Sequence, residues 1–273
     1  MPELPEVEVT RRGLSPHLED HVVTDVITRR DGLRWPFPDD LALHLPGSAV
    51  RSVGRRGKYL LLEFDHGTLI VHLGMSGRLR ILPASTLAGK HDHFDLVFGA
   101  MVMRLTDPRR FGAVLWHARE QGPVESHPLL GKLGIEPFDS AFCGELLYQK
   151  SRTKSSDIKQ TLLSGKIVVG VGNIYASECL FMAGINPMTP AKRIGRVRYN
   201  RLAAAIRQVL GAAIELGGST LRDFSSADGQ SGYFQLQCLV YDRAGMPCRV
   251  CGTTLRQIRQ GQRSSFYCAN CQK

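Results

Sequence analysis

Four cysteines near the end of this 273-residue chain constrain its folding more than any other feature. Cys248-Arg249-Val250-Cys251 and Cys268-Ala269-Asn270-Cys271 form two C-x2-C pairs with sixteen residues between them. Two such knuckles wrap one tetrahedral ion, and four thiolates close its shell. A closed shell leaves no position for water or substrate, so the expected ion, Zn2+, is structural. Zinc binding by isolated finger peptides releases on the order of 10–16 kcal/mol. That is ample to fold a tail too short for its own core. The alternative is a pair of disulfides or free thiols, but a total of seven cysteines argues against a disulfide framework. Cys143, Cys179 and Cys238 stand alone and are expected as small buried hydrophobes.

Arg256, Arg259 and Arg263 lie between the knuckles, and from Tyr241 to Lys273 the one acid, Asp242, faces six bases. The whole chain carries a formal charge of +10 and a pI near 9.5. Such an excess favours a polyanion, either nucleic acid or an anionic membrane surface. No apolar run approaches the roughly 20 residues that span a bilayer, which disfavours the membrane. The opening MPELPEVEVTRR has no apolar h-region, so a cytoplasmic location is expected. No long heptad suggests assembly, and a monomer is expected. At 43% hydrophobic and 22% charged the chain reads as a folded protein, long enough for more than one domain.

The hydrophobic period changes along the chain. Residues 5–14 suit a short helix with proline near its start. Residues 58–64, 68–73, 77–82, 93–98 and 101–105 are strand-like runs separated by turns, which predicts a largely antiparallel first half in two layers. The Gly/Pro-rich stretch 121–137 reads as a linker. Beyond it, 142–148, 158–163, 174–182 and 197–216 have helical spacing, the last ended by Gly217-Gly218. The expected divisions are 1–132, 133–236 and 237–273.

Longer motifs run in order through the chain. They are MPELPEVE at the start, GKYLLLEF at 57–64, HLGMSG at 72–77, KHDHFDL at 90–96 and TDPRRFG at 106–112. VVGVGNIYASE follows at 168–178, then DGQSGYF at 228–234 and the FYC-x2-C ending. With these motifs the chain resembles the bacterial formamidopyrimidine-DNA glycosylases over nearly its whole length. The resemblance implies an α+β, multidomain fold. An N-terminal antiparallel β-sandwich with a flanking helix would precede a helical domain containing a helix–two-turn–helix, and then a zinc-finger β-hairpin.

The resemblance further implies a bifunctional DNA glycosylase/AP lyase of base excision repair. Its substrates would be 8-oxoguanine and formamidopyrimidines in duplex DNA. The initiator Met is removed, and the secondary amine of Pro2 attacks C1′ to give a Schiff base that undergoes β,δ-elimination. A terminal amine suits this task, because its ordinary pKa near 8 leaves more of it neutral at pH 7 than a lysine. Glu3 matches the general acid/base. Lys58, His72, Asn173 and Arg263 match contacts to the phosphates flanking the lesion, with Lys58 and Arg263 counted in the catalytic group. Met75, Arg109 and Phe111 match the side chains that fill the space left by an everted nucleotide. Lys90, His91, Arg110 and Tyr241 match further DNA contacts. Lys192, Arg193, Arg196, Arg198, Arg201 and Arg207 would extend the DNA surface or form a solvated helix face.

Two positions depart from the family pattern. Ser231 stands where proline is frequent. The lysine-rich run before Ile158 is thinned around Ser155 and Ser156, leaving Lys154 as a displaced candidate for lesion recognition. Related enzymes that prefer oxidised pyrimidines, the endonuclease VIII branch, typically start MPEGPE. Leu4 and the Arg109–Phe111 motif favour the purine branch. A catalytically silent DNA-binding protein is the rival of a different class, and retention of Met1 would point to it.

Overall fold

A computed structural model describes residues 2–218 and 237–273; the DGQSGYF motif, with Ser231, lies outside them. The chain divides into two compact units, one comprising Met1–Gly131 and Leu216–Tyr233, the other Lys132–Glu215 and Phe234–Lys273.

The first unit opens with helix α1 (Leu4–Leu18), then strand β1 (Asp25–Thr28) and the short helix α2 (Leu41–His44). Strands β2 (Ser52–Arg56), β3 (Tyr59–Phe64), β4 (Gly67–His72) and β5 (Arg78–Pro83) follow. They are succeeded by β6 (Asp92–Phe98), β7 (Met101–Thr106) and β8 (Ala113–Ala118). The strands form two four-stranded sheets of order β1-β6-β7-β5 and β2-β3-β4-β8, antiparallel at every pairing.

The alternation of strand residues decides which face is buried. Leu60, Leu62 and Phe64 of β3 and Leu69 and Val71 of β4 share one core with Phe94, Leu96 and Phe98 of β6 and Met103 and Leu105 of β7. Each such side chain contributes about 1.5–3 kcal/mol on burial. Helix α1 adds Val7, Leu14 and Leu18 to that core. It therefore runs past Gly13 and Pro16, four residues beyond the end expected from sequence, because burying Leu14 and Leu18 outweighs their helix-breaking cost.

Glu8 fastens α1 to β2, with Arg11 at 2.9 Å and Arg55 at 3.0 Å. Burial alone would raise its pKa, but hydrogen bonds from the two guanidiniums win and hold the carboxyl at about 2.

The second unit holds α3 (Gly144–Ser151), α4 (Ile158–Leu163), α5 (Asn173–Met182) and α6 (Arg196–Glu215), then the hairpin β9 (Arg256–Gln260) and β10 (Arg263–Tyr267). Tyr199, Leu202, Ile206, Val209, Leu210 and Ala213 recur at helical spacing and bury one stripe of α6. Gly217 and Gly218, just past the end of α6, both have φ near +80° (76° and 82°), where a Cβ is unfavourable.

Arg207 donates to the carbonyl oxygens of Pro137, Asp139 and Phe142, and Arg198 to those of Gly184 and Lys273. Those two arginines are structural ties rather than free surface charge. Cys179 and Cys238 are buried as expected, but Cys143 is exposed. Its sulfur accepts the Leu146 N–H at the start of α3, an end that needs an acceptor. Among the described residues no helix is long and apolar enough to cross a membrane.

Candidate functional site

In the first unit the start of the chain is built into the fold. Pro2 and Glu3 are buried, Glu3 to 1% exposure. The Glu3 N–H donates to Glu6 Oε2 at 2.8 Å, and Glu3 O accepts the first α1 bond from Val7 at 3.1 Å. Gly218 lies against Glu6, where a Cβ would stand 3.1 Å from Oε1, so a side chain there would push on the residue that pins Glu3.

Lys58 sits half-buried on the β2–β3 turn, next to the Tyr59–His72 register pair. The Tyr59 and His72 rings lie 4.8 Å apart. His72 Nδ1 accepts the Gly74 N–H at 3.1 Å, which leaves the proton of the neutral ring on Nε2. Burial, then the charges of Lys58 and Arg34, push the His72 pKa down to about 4. His72 is thus a neutral N–H donor at physiological pH, beside a lysine.

Two turns carry Met75, Arg109, Arg110 and Phe111, and they are locked together. Gly74 has φ +61°, and a Cβ there would meet the backbone of Phe111 at 2.3 Å. Asp107, fully buried, accepts from Ser76 Oγ at 2.7 Å through Oδ1 and from Gly112 N at 2.8 Å through Oδ2. Ser76 Oγ in turn accepts the Arg109 N–H at 3.1 Å. From this base Phe111 projects with 46% of its surface exposed, and the Arg109 guanidinium lies 5.4 Å over its ring. Met75 is half-buried, while Arg110 is exposed at φ 59°. Lys90 and His91 are exposed ahead of β6, and the His91 carbonyl accepts the Asp107 N–H at 2.9 Å.

In the second unit Asn173 is the first residue of α5, after Gly170 at φ 87°. Its Oδ1 is buried with no hydrogen-bond partner among the described residues, at a helix end whose N–H groups suit an anion. Tyr241 packs its ring edge-on to Phe266 at 5.1 Å. Its N–H, with those of Leu239 and Val240, donates to the carboxylate of Glu178 on α5 at 2.8–3.0 Å. Arg263 opens β10 and is exposed, as are Arg256 and Arg259 on the same hairpin. Lys154 is exposed on the α3–α4 loop, its N–H bonded to Ser151 O.

The four cysteines of the tail converge, with all four Sγ atoms within 4.8 Å of one another. Cys251–Cys268 and Cys248–Cys271 are 3.5 and 4.0 Å apart. Tetrahedral zinc–thiolate bonds of about 2.3 Å give sulfur separations of about 3.8 Å. Hydrogen bonds from Thr253 and Asn270 lower the Cys251 thiol to about 5, whereas burial and the neighbouring sulfurs push Cys271 up to about 12. Four thiols so close ionise together only around a cation.

Residues 1–114 match the formamidopyrimidine-DNA glycosylase N-terminal domain, 133–225 the H2TH domain of the same enzymes, and 245–273 the zinc finger found in FPG and IleRS. Formamidopyrimidine-DNA glycosylases of Janthinobacterium sp. (strain Marseille) and Herminiimonas arsenicoxydans are 67% and 64% identical, over all of both chains. The chain belongs to the formamidopyrimidine-DNA glycosylase family. A Lactococcus lactis FPG mutant solved with Fapy-dG containing DNA superposes with a TM-score of 0.93 at 32% identity, covering 100% of both chains. The Thermus thermophilus MutM (FPG) protein gives 0.89 at 36% identity over 99% of this chain and 98% of that one.

As a formamidopyrimidine-DNA glycosylase the chain has the expected α+β architecture, with α4, the turns 164–172 and α5 lying in the H2TH region. Its four cysteines are placed to bind one metal ion. Sequence reasoning passed over two buried carboxylates that organise these regions. Asp107 lies inside TDPRRFG and Glu178 closes GNIYASE. An acid within an otherwise apolar or basic motif was the available signal.

Proposed function

We propose that the protein is a bifunctional glycosylase/AP lyase that removes 8-oxoguanine and formamidopyrimidines from duplex DNA. The observation that carries this reading is the built chain start: Pro2 and Glu3 are buried and pinned through Glu6, where a frayed terminus would be exposed. Loss of Met1 gives Pro2 a secondary amine. Its lone pair forms the bond to C1′ while the N-glycosidic electrons leave with the base, which takes up a proton. Loss of the nitrogen's proton and cleavage of the C1′–O4′ bond, with O4′ taking up a proton, then open the sugar to an iminium, which acidifies C2′–H. Loss of that proton drives β-elimination of the 3′ C–O bond, and δ-elimination then breaks the 5′ one. Glu3, adjacent and buried, is assigned the proton transfers.

Duplex DNA containing an oxidised purine or abasic site is the proposed partner, and the neighbours solved with such DNA support it. Met75 and Phe111 fill the vacated space while Arg109 bonds the orphaned base; their shared base on Asp107 supports a single wedge. Lys58, His72, Asn173, Tyr241 and Arg263 hold phosphates near the lesion, and Lys90, His91 and Arg110 the flanking duplex. Lys154 is assigned to lesion recognition. Zinc, when bound, supplies structural support to the arginine-bearing hairpin. The segments 1–132, 133–236 and 237–273 are proposed as the catalytic, H2TH and zinc-finger divisions, with action in the bacterial cytoplasm.

Single-turnover cleavage of duplexes carrying 8-oxoguanine opposite cytosine or an oxidised pyrimidine tests the substrate class. Faster cleavage at 8-oxoguanine, with both β- and δ-elimination ends, is expected. Preference for the pyrimidine would place the chain's activity with the endonuclease VIII branch.

A further inference from the structure

The connection between β5 and β6, residues 84–91, buries no apolar side chain that would fix its shape. Every residue in it is exposed, Leu87 to 92%. It is nonetheless tied down from beneath by charged groups. The Arg104 guanidinium, itself buried, donates to Asp95 Oδ1 through Nε at 3.0 Å and to Oδ2 through Nη2 at 2.9 Å. Its Nη1 donates to the carbonyl oxygens of Thr86 at 3.0 Å and Leu87 at 3.2 Å. Asp92, also buried, holds the other end of the loop. Its Oδ2 accepts the Gly89 N–H at 2.7 Å, and its own N–H donates to Gly89 O at 3.1 Å. These two bonds close a β-turn, Gly89 to Asp92, whose central positions are Lys90 and His91.

The clamp is itself anchored. Asp92 Oδ1 accepts from the Thr106 hydroxyl, and Arg80 and Arg104 each stand 3.8 Å from an Asp92 carboxylate oxygen. Burial alone would raise the Asp92 pKa. The bonds from Thr106 and Gly89, then the two arginines, win and hold it below the usual carboxylate range. The acceptor of the Gly89 N–H is thus ionised at neutral pH, which strengthens that bond. The Asp107 N–H donates to His91 O at 2.9 Å and fixes the turn to the base shared by the Met75 and Phe111 turns. Buried charges are costly to desolvate, and the exposed segment these ones hold returns no apolar burial.

We infer that Asp92 is a positioning residue for DNA binding: by closing the Gly89-to-Asp92 turn it holds Lys90 and His91 preset for the backbone of the flanking duplex. The inference rests on the reading above that Lys90 and His91 contact DNA. An unclamped turn would keep both side chains, but would have to be ordered at the moment of binding, at a cost in affinity.

The test is a mutant cycle on the salt dependence of affinity for a duplex carrying one tetrahydrofuran abasic-site analogue, which has no base to excise. Each phosphate contact contributes about −0.9 to the slope of log K against log salt, so Asp92→Ala is expected to bind more weakly with a slope shallower by about 0.9. Asp92→Asn loses the same charge, yet its amide can still accept from Gly89 and donate to Thr106, and it is expected to restore the wild-type slope. On a Lys90→Ala/His91→Ala background, Asp92→Ala is expected to change neither slope nor affinity. Should Asp92→Ala unfold, Thr106→Val, which frees only Oδ1 of the carboxylate, takes its place, with a smaller loss that also vanishes on that background. An Asp92→Ala protein that binds as the wild type does would overturn the inference while leaving the DNA reading intact. So would an Asp92→Asn protein as impaired as Asp92→Ala, or a loss that persists undiminished on the Lys90→Ala/His91→Ala background. A Lys90→Ala/His91→Ala protein that matches the wild type would overturn both the inference and the contacts on which it rests.

Discussion

In the sandwich, 22 buried apolar residues form a single cluster among the described residues; around the zinc-finger tail the corresponding cluster has six, two of them cysteines. The sandwich is stabilised by apolar area spread over seven strands and two helices, so no single contact decides its fate. The tail concentrates its stability in four sulfurs within 4.8 Å and in the polar ties around its hairpin. Lys159 illustrates those ties, donating from a fully buried position to Ser264 O and Ser265 Oγ. A large core tolerates gradual damage, whereas a metal-closed tail fails in one step.

Removing the metal should break the comparison open most widely. The zinc contribution is on the order of 10–16 kcal/mol, more than a segment with so small a core can replace. Treatment with a strong chelator, or Cys268→Ser, is expected to make the tail protease-sensitive and abolish DNA binding. Both tryptophans of the chain, Trp35 and Trp116, belong to the first unit, so their emission should stay native. A tail that resists protease without metal would contradict the contrast.

A smaller loss should follow from damage to the sandwich. Phe94, fully buried between the sheets, is expected to cost about 3–5 kcal/mol when changed to alanine. Denaturation followed by tryptophan emission should shift accordingly, with zinc content unchanged.

Acid should separate the regions more subtly. His72 titrates near 4 when folded and near its ordinary 6.5 when unfolded. The unfolded chain thus binds more protons between these values, and stability falls as pH drops from about 6.5 to 4. Glu8, held at about 2 against an ordinary 4.5, adds a second loss as pH falls from 4.5 towards 2. His72→Gln should flatten the upper part of the profile and Glu8→Gln the lower, read by urea midpoints across pH. The His72 contribution to DNA affinity should not vary between pH 6 and 8, because the ring is neutral throughout.

The elements legible in the sequence were those whose burial leaves a period. Central strands β3, β4, β6 and β7 read as apolar runs, and α4 was expected with its observed ends, Ile158–Leu163. The strands missed, β1, β2 and β8, are all sheet edges. Three of the four residues of β1 are exposed, and β2 carries Gly54, Arg55 and Arg56, so neither shows clear alternation. The cysteine ligand set was readable from spacing alone. The remaining candidate residues came through motif resemblance, because single positions such as His72 or Met75 carry no periodic signal. Asp92 was invisible at that level, since its setting depends on a side-chain bond from Thr106, 14 positions away.

Borohydride trapping tests the central claim most directly. Zinc-replete protein shown by intact mass to have lost Met1 would be reduced with a duplex bearing one 8-oxoguanine opposite cytosine, and the adduct mapped by peptide mass. The account predicts one covalent adduct, on the Pro2 nitrogen. No adduct from protein that binds the duplex, or an adduct on a lysine, would contradict it.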